Sequence, residues 1–168
     1  MVYQDVPVKQ NEDNMGWIDS GLTERAKLEE ERTRIEKAFD GVWDGLWREI
    51  TKHIEAYREK GGSESVATGG GYEDREVSVP NPGLVVSGIA HGTKRRVTLR
   101  QGKDKTSISA EFEVDQKPVK ADSLRLDIKV CRFGVVCLMQ GDKELTLEQA
   151  AILVLDPILF PDLPRTAI

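Results

Sequence analysis

The stretch KRRVTLRQGKDKTSISAEFEV, residues 94–114, decides the fold. Val97 and Leu99 alternate with Arg96, Thr98 and Arg100. Beyond Gly102-Lys103, Ile108, Ala110, Phe112 and Val114 alternate with Ser107, Ser109, Glu111 and Glu113. A period of two on both sides of a turn signal marks half-buried strands. Gly102-Lys103 fits a two-residue hairpin, which would set Val97 opposite Ile108, Leu99 opposite Thr106 and Lys94 opposite Glu111.

The same reading extends in both directions. A tight turn at His91-Gly92 would pair Leu84 with Leu99 and Val86 with Val97, so the apolar faces agree across strands. Upstream, Val77 and Val79 alternate with polar residues before a turn at Pro80-Asn81-Pro82-Gly83. Downstream, Leu124, Leu126, Ile128 and Val130 form another alternating run, and residues 135–139 a last one after a turn near Gly134. Gln140-Gly141-Asp142-Lys143 is a further turn. Thr146 and Gln149 have capping-box spacing, opening a short apolar helix that Asp156-Pro157 would end or kink. These runs predict an antiparallel meander of five or six strands with one buried and one wet face.

The cover for that buried face lies earlier in the chain. Leu28, Ile35, Phe39, Val42, Leu46, Ile50, Ile54 and Tyr57 recur at steps of three, four and seven, a single helical face. Trp43 and Trp47 widen it. Gly61-Gly62 would stop the helix. Some 36 residues of helix run roughly 54 Å, longer than a small domain is wide. The excess must project, break near Gly41 or Gly45, or be covered by a second copy of the chain. The class expected is therefore α+β: a long amphipathic helix on a meander sheet, with a short C-terminal helix.

The expected organisation is an irregular arm over residues 1–20, the helix over 21–60, a Gly/Ser-rich linker over 61–71 and the sheet with its final helix over 72–168. Trp17 and Ile18 are the residues by which the arm would dock. The linker lacks the Gly-Lys-Ser/Thr of a phosphate-binding loop.

Composition narrows the chemistry. With 24 basic and 29 acidic residues among 168, the chain carries −5 and is not a basic nucleic-acid binder. No apolar run approaches the roughly 20 residues that span a bilayer. The first residues show no secretory leader and there are two cysteines, so a cytoplasmic protein with reduced thiols is expected.

Several side-chain groups are candidate sites. His53 with Glu49 has helical spacing suited to two metal ligands, but the sequence offers no third. His91 stands in a turn where a polar residue is expected anyway. Cys131 and Cys137 flank a hairpin; a three-residue loop would put both on the wet face, a two-residue loop would place Cys137 inside. Their spacing without a nearby histidine is not a zinc pattern, and neither metal nor cofactor is expected. Asp40 and Asp44 are a paired-carboxylate spacing that chance supplies in so acidic a chain.

Two surfaces remain. Lys94, Arg96, Arg100 and Lys103 belong to a segment with six basic residues against Asp104, a candidate patch for anions or an acidic partner and otherwise a charged strand edge. It lacks the aromatic platform that single-stranded nucleic acid requires. Phe39, Trp43, Trp47, Ile50 and Tyr57 form a stripe that could be core, a dimer seam or a pocket wall. The function expected is a non-enzymatic interaction or self-assembly module working through the helix–sheet face, with a homo-oligomer or protein partner. The alternative is a binder of a small apolar ligand held between helix and sheet.

Overall fold

A computed structural model describes residues 13–62, 66–70 and 83–168. Helix α1 (Asp13–Glu59) is followed by strands β1 (Ala67–Gly70), β2 (Leu84–Ala90), β3 (Thr93–Gln101), β4 (Ser107–Val114), β5 (Lys117–Pro118), β6 (Leu124–Val130), β7 (Val136–Gln140) and β8 (Lys143–Leu145), then helix α2 (Leu147–Leu159). All strands pair antiparallel, in the order β1-β2-β3-β4-β6-β7-β8, with β5 added to β4. The α+β meander is as the sequence indicates, with eight strands among the described residues in place of five or six. The expected strand through Val77 and Val79 and most of the Pro80–Gly83 turn lie outside the described residues.

The buried face of the sheet is built from apolar ladders. Val86, Val97 and Phe112 line up across β2, β3 and β4. Leu84, Leu99, Ala110 and Leu124 form a second row, and Ile128, Leu138 and Leu145 a third. α1 lies against β6 and β7 and alongside α2, which reaches β2 and β3. Phe39, Leu46, Ile50 and Ile54 from α1 meet Ala150, Ala151, Val154 and Leu155 from α2 in one core over this face. Gly45 permits the helix contact: a Cβ there would stand 2.7 Å from Leu147 Cδ1.

The hairpin between β2 and β3 has the expected register, Leu84 opposite Leu99 and Val86 opposite Val97. The next hairpin does not. Val97 pairs with Phe112 and Leu99 with Ala110, and Lys94 does not meet Glu111. Residues 102–106 form a longer loop, closed by Gly102 N–H donating to Ser107 O (2.8 Å) and by Asp104 Oδ1 accepting from Thr106 N–H (3.2 Å). The displacement is four residues, an even number, so every side chain keeps its face.

Three boundaries need correction. α1 begins at Asp13, so residues 13–20 are helical where an irregular arm was expected. Residues 67–70 of the expected linker form β1 on the edge of the sheet, anchored by buried Val66, whose carbonyl accepts from Arg58 at the end of α1. α2 does not end at Asp156: Pro157 is accommodated inside it and the helix runs to Leu159. Its start is as read, with Thr146 and Gln149 completing a reciprocal capping box.

Candidate functional site

The stripe on α1 resolves into two kinds of surface. Phe39 and Ile50 are fully buried in the chain's own core, which removes them as seam or pocket residues in the folded protomer. Trp43 and Trp47 are half-buried against that core, with Trp43 stacked on Phe39 at 6.4 Å. Tyr57 is also half-buried and lies edge-on to Phe160 at 5.8 Å. Of the five, Tyr57 alone lines a hollow of about 560 Å³ between the end of α1 and α2, together with Ile152, Leu155, Leu159 and Phe160. His53 and Lys60 supply polar groups at the same hollow.

α1 is unbroken at Gly41 and Gly45. At 47 residues it is about 70 Å long, and its first part outruns the sheet. Residues 16–30 are exposed at every position. At about 100° per residue, Trp17 and Leu28 continue the line of Ile35, Phe39, Val42 and Leu46, while Ile18 and Leu22 stand about 90° and 130° round the helix from it. Trp17 is 69% exposed and Leu28 57%. Of the outcomes the helix length allowed, the structure shows projection, and Leu28 of the helical stripe lies in the projecting part.

The basic segment is on β3, an interior strand, so it is not an edge guard. Lys94, Arg96 and Arg100 share its outer face, but acids stand among them. Arg100 pairs with Glu111 at 3.6 Å, Arg96 is opposite Glu113, and Lys94 N–H donates to Asp115 Oδ1. Lys103 is in the exposed loop. Lys105 turns back to Asp40 at 3.4 Å and over the Phe39 ring at 5.9 Å. The four candidates therefore do not converge on one uncompensated anion cradle.

The histidines are occupied separately. His53 Nδ1 donates to Glu49 O at 2.8 Å, since a carbonyl only accepts, and Nε2 lies 3.9 Å from Glu148 Oε1. His91, exposed, is 3.0 Å from Asp162. Among the described residues, neither hydrogen-bonds to a cysteine or serine as a nucleophile's base would.

The cysteines come together with a residue the sequence reading overlooked. Cys131 N–H donates to Val135 O, leaving Arg132, Phe133 and Gly134 as a three-residue loop. Phe133 and Gly134 both take left-handed φ, which closes it. Lys129 is opposite Cys137, so Cys131 and Cys137 share the outer face, the arrangement expected from a three-residue loop. Glu144 on β8 faces the same way, and the donor atoms of Cys131, Cys137 and Glu144 all lie within 4.8 Å of one another. Cys131 Sγ is also 3.9 Å from Met139 Sδ. Burial, with the Cys131 thiol and Glu144 carboxylate beside it, pushes the Cys137 thiol up to about 12. A thiol held so far from ionisation is no ready nucleophile.

Comparison with family models, curated proteins and solved structures found no match. Among the described residues, no helix is long and apolar enough to cross a membrane.

Proposed function

We propose that the chain is a non-enzymatic self-assembly module that pairs with a second copy through residues 16–30 of α1. The supporting observation is that the stripe which builds the core runs on past the sheet, with Trp17 and Leu28 uncovered. A helix that is polar on all sides needs no partner; one that carries a continuing apolar line past its own core does. The occupant follows from the apolar spacing and not from charge, since residues 16–30 hold four acids and two bases. A two-fold antiparallel arrangement centred between Leu22 and Thr23 sets Trp17 against the partner subunit's Leu28, and the reverse contact repeats it. The seam is thus the overhanging part of α1 and not the helix–sheet face.

Sedimentation of the full chain tests this. Leu28→Ala acts twice in a two-fold dimer and removes about 2–3 kcal/mol of burial, a weakening of roughly 30- to 150-fold. Wild-type protein that sediments as a monomer at every concentration, or association that Leu28→Ala leaves unchanged, overturns the proposal.

The hollow beside Tyr57 favours a second reading, the binding of a small apolar ligand. Its volume and its apolar lining with a few polar groups suit such a molecule. It is at the end of α1, away from Trp43 and Trp47, so tyrosine and not tryptophan emission would respond. Saturable binding of an apolar dye that Ile152→Trp abolishes supports this reading; binding unaffected by that substitution removes it.

A further inference from the structure

We propose that Cys131, Cys137 and Glu144 form a binding site for one thiophilic divalent cation, with zinc the ion that best fits the donors. The three groups arrive from separate parts of the meander: the end of β6, β7 and β8. Each turns its donor to the outer face, Cys137 being buried there and Cys131 half-buried, and the atoms cluster within 4.8 Å. In a tetrahedral zinc site with Zn–S of about 2.3 Å and Zn–O of about 2.1 Å, neighbouring donors are roughly 3.5–3.8 Å apart. The cluster therefore needs to close by about 1.3 Å at most, within reach of side-chain rotation.

The electrostatics point the same way. All three donors are acids, and each gains negative charge when it ionises. Among the described residues no Lys or Arg forms an ion pair with Glu144, whose other close neighbour is the Cys137 thiol. Thiolates and not thiols bind the ion, so metal uptake releases two protons to solvent. With two thiolates, one carboxylate and a divalent cation the filled site carries −1. Two thiolates exclude calcium and magnesium, which take oxygen ligands.

Three protein ligands leave a fourth corner. It opens into a hollow of about 470 Å³ that Arg132, Phe133 and Val135 share with the three donors. Phe133 is fully exposed at its rim. The Met139 thioether sulfur, near Cys131, adds a soft neighbour on the other side. The sequence spacing Cys-x5-Cys conceals the set, because Glu144 is brought in by the β7–β8 hairpin: Met139 is opposite Glu144 there.

The test is cobalt and zinc titration of the reduced full chain. One cobalt per chain should give an intense sulfur-to-cobalt charge-transfer band and tetrahedral ligand-field bands, and stoichiometric zinc should bleach both. Cys131→Ser, at a half-buried position, should weaken zinc binding by at least about 100-fold, more than the loss of an outer-shell partner. Glu144→Gln should weaken it with the charge-transfer band retained. Circular dichroism confirms that both variants keep the fold. Cobalt bound without the sulfur band, zinc affinity unchanged in Cys131→Ser, or cysteines that form a disulfide and take no metal after reduction each overturn the site.

Discussion

Phe39→Ala distinguishes core from seam. Phe39 is fully buried in the core cluster, its ring is stacked on Trp43 at 6.4 Å and Lys105 Nζ lies 5.9 Å above it. Truncation removes the transfer energy of a phenyl ring and leaves a cavity beneath α1, a cost of about 3–5 kcal/mol. The Lys105 contact is partly exposed and adds little. With a urea dependence near 2 kcal/mol per molar, the midpoint should fall by about 2 M. The thermal midpoint should fall by roughly 10 °C. Equilibrium urea unfolding followed by tryptophan emission reads this directly, because Trp43 loses its stacking partner. A seam residue would behave otherwise: stability at high dilution would hold while association weakened. A loss below about 1 kcal/mol, accompanied by weaker association, would refute the placement of Phe39 in the protomer's own core.

Other expectations follow from the same geometry. Thr146→Ala removes one half of the capping box and should cost about 1 kcal/mol, read as a lowered urea midpoint with α2 otherwise intact. Arg96→Glu with Arg100→Glu should leave binding to a DNA oligonucleotide as weak as in the wild type at any salt concentration; a steep salt-dependent affinity lost in the double variant would contradict the neutralised strand. The Asp104 carboxyl is held below its ordinary 3.8 by the Thr106 hydrogen bonds. Its folded pKa is thus below its unfolded one, so its contribution to stability is present above the unfolded pKa and lost as pH falls through the folded one. Because Asp104 is solvent-exposed, that contribution is small; a carboxyl NMR titration should show a midpoint below 3.8 that Thr106→Val raises.

The sequence exposed the fold through parity and concealed it in register. Val97, Leu99, Ile108 and Phe112 declare their face by alternation alone, and the four-residue displacement of the β3–β4 hairpin does not disturb it. The loop itself was illegible because Gly102-Lys103 has the look of a two-residue turn, whereas the Asp104–Thr106 bond and left-handed Lys105 close a longer one. β1 was missed because Ala-Thr-Gly-Gly has no strand pattern; it joins the sheet by backbone pairing, held by Val66 and Arg58. The excess of α1 over its sheet was readable from length, though not that residues 13–20 extend it further, since Asn14 and Gly16 have poor helix propensity. The cysteine cluster was half legible. Two loop lengths were open in the sequence, of which the three-residue one makes Cys131 and Cys137 share a face, while Glu144 enters through a strand of three residues that no periodicity reveals.

Native mass spectrometry of the full chain tests self-assembly most directly, because it reports stoichiometry and any retained molecule together. Pairing through residues 16–30 predicts a bare dimer that Leu28→Glu converts to monomer without loss of folded charge states. A bare monomer at concentrations of tens of micromolar, or a dimer that survives Leu28→Glu, would contradict it.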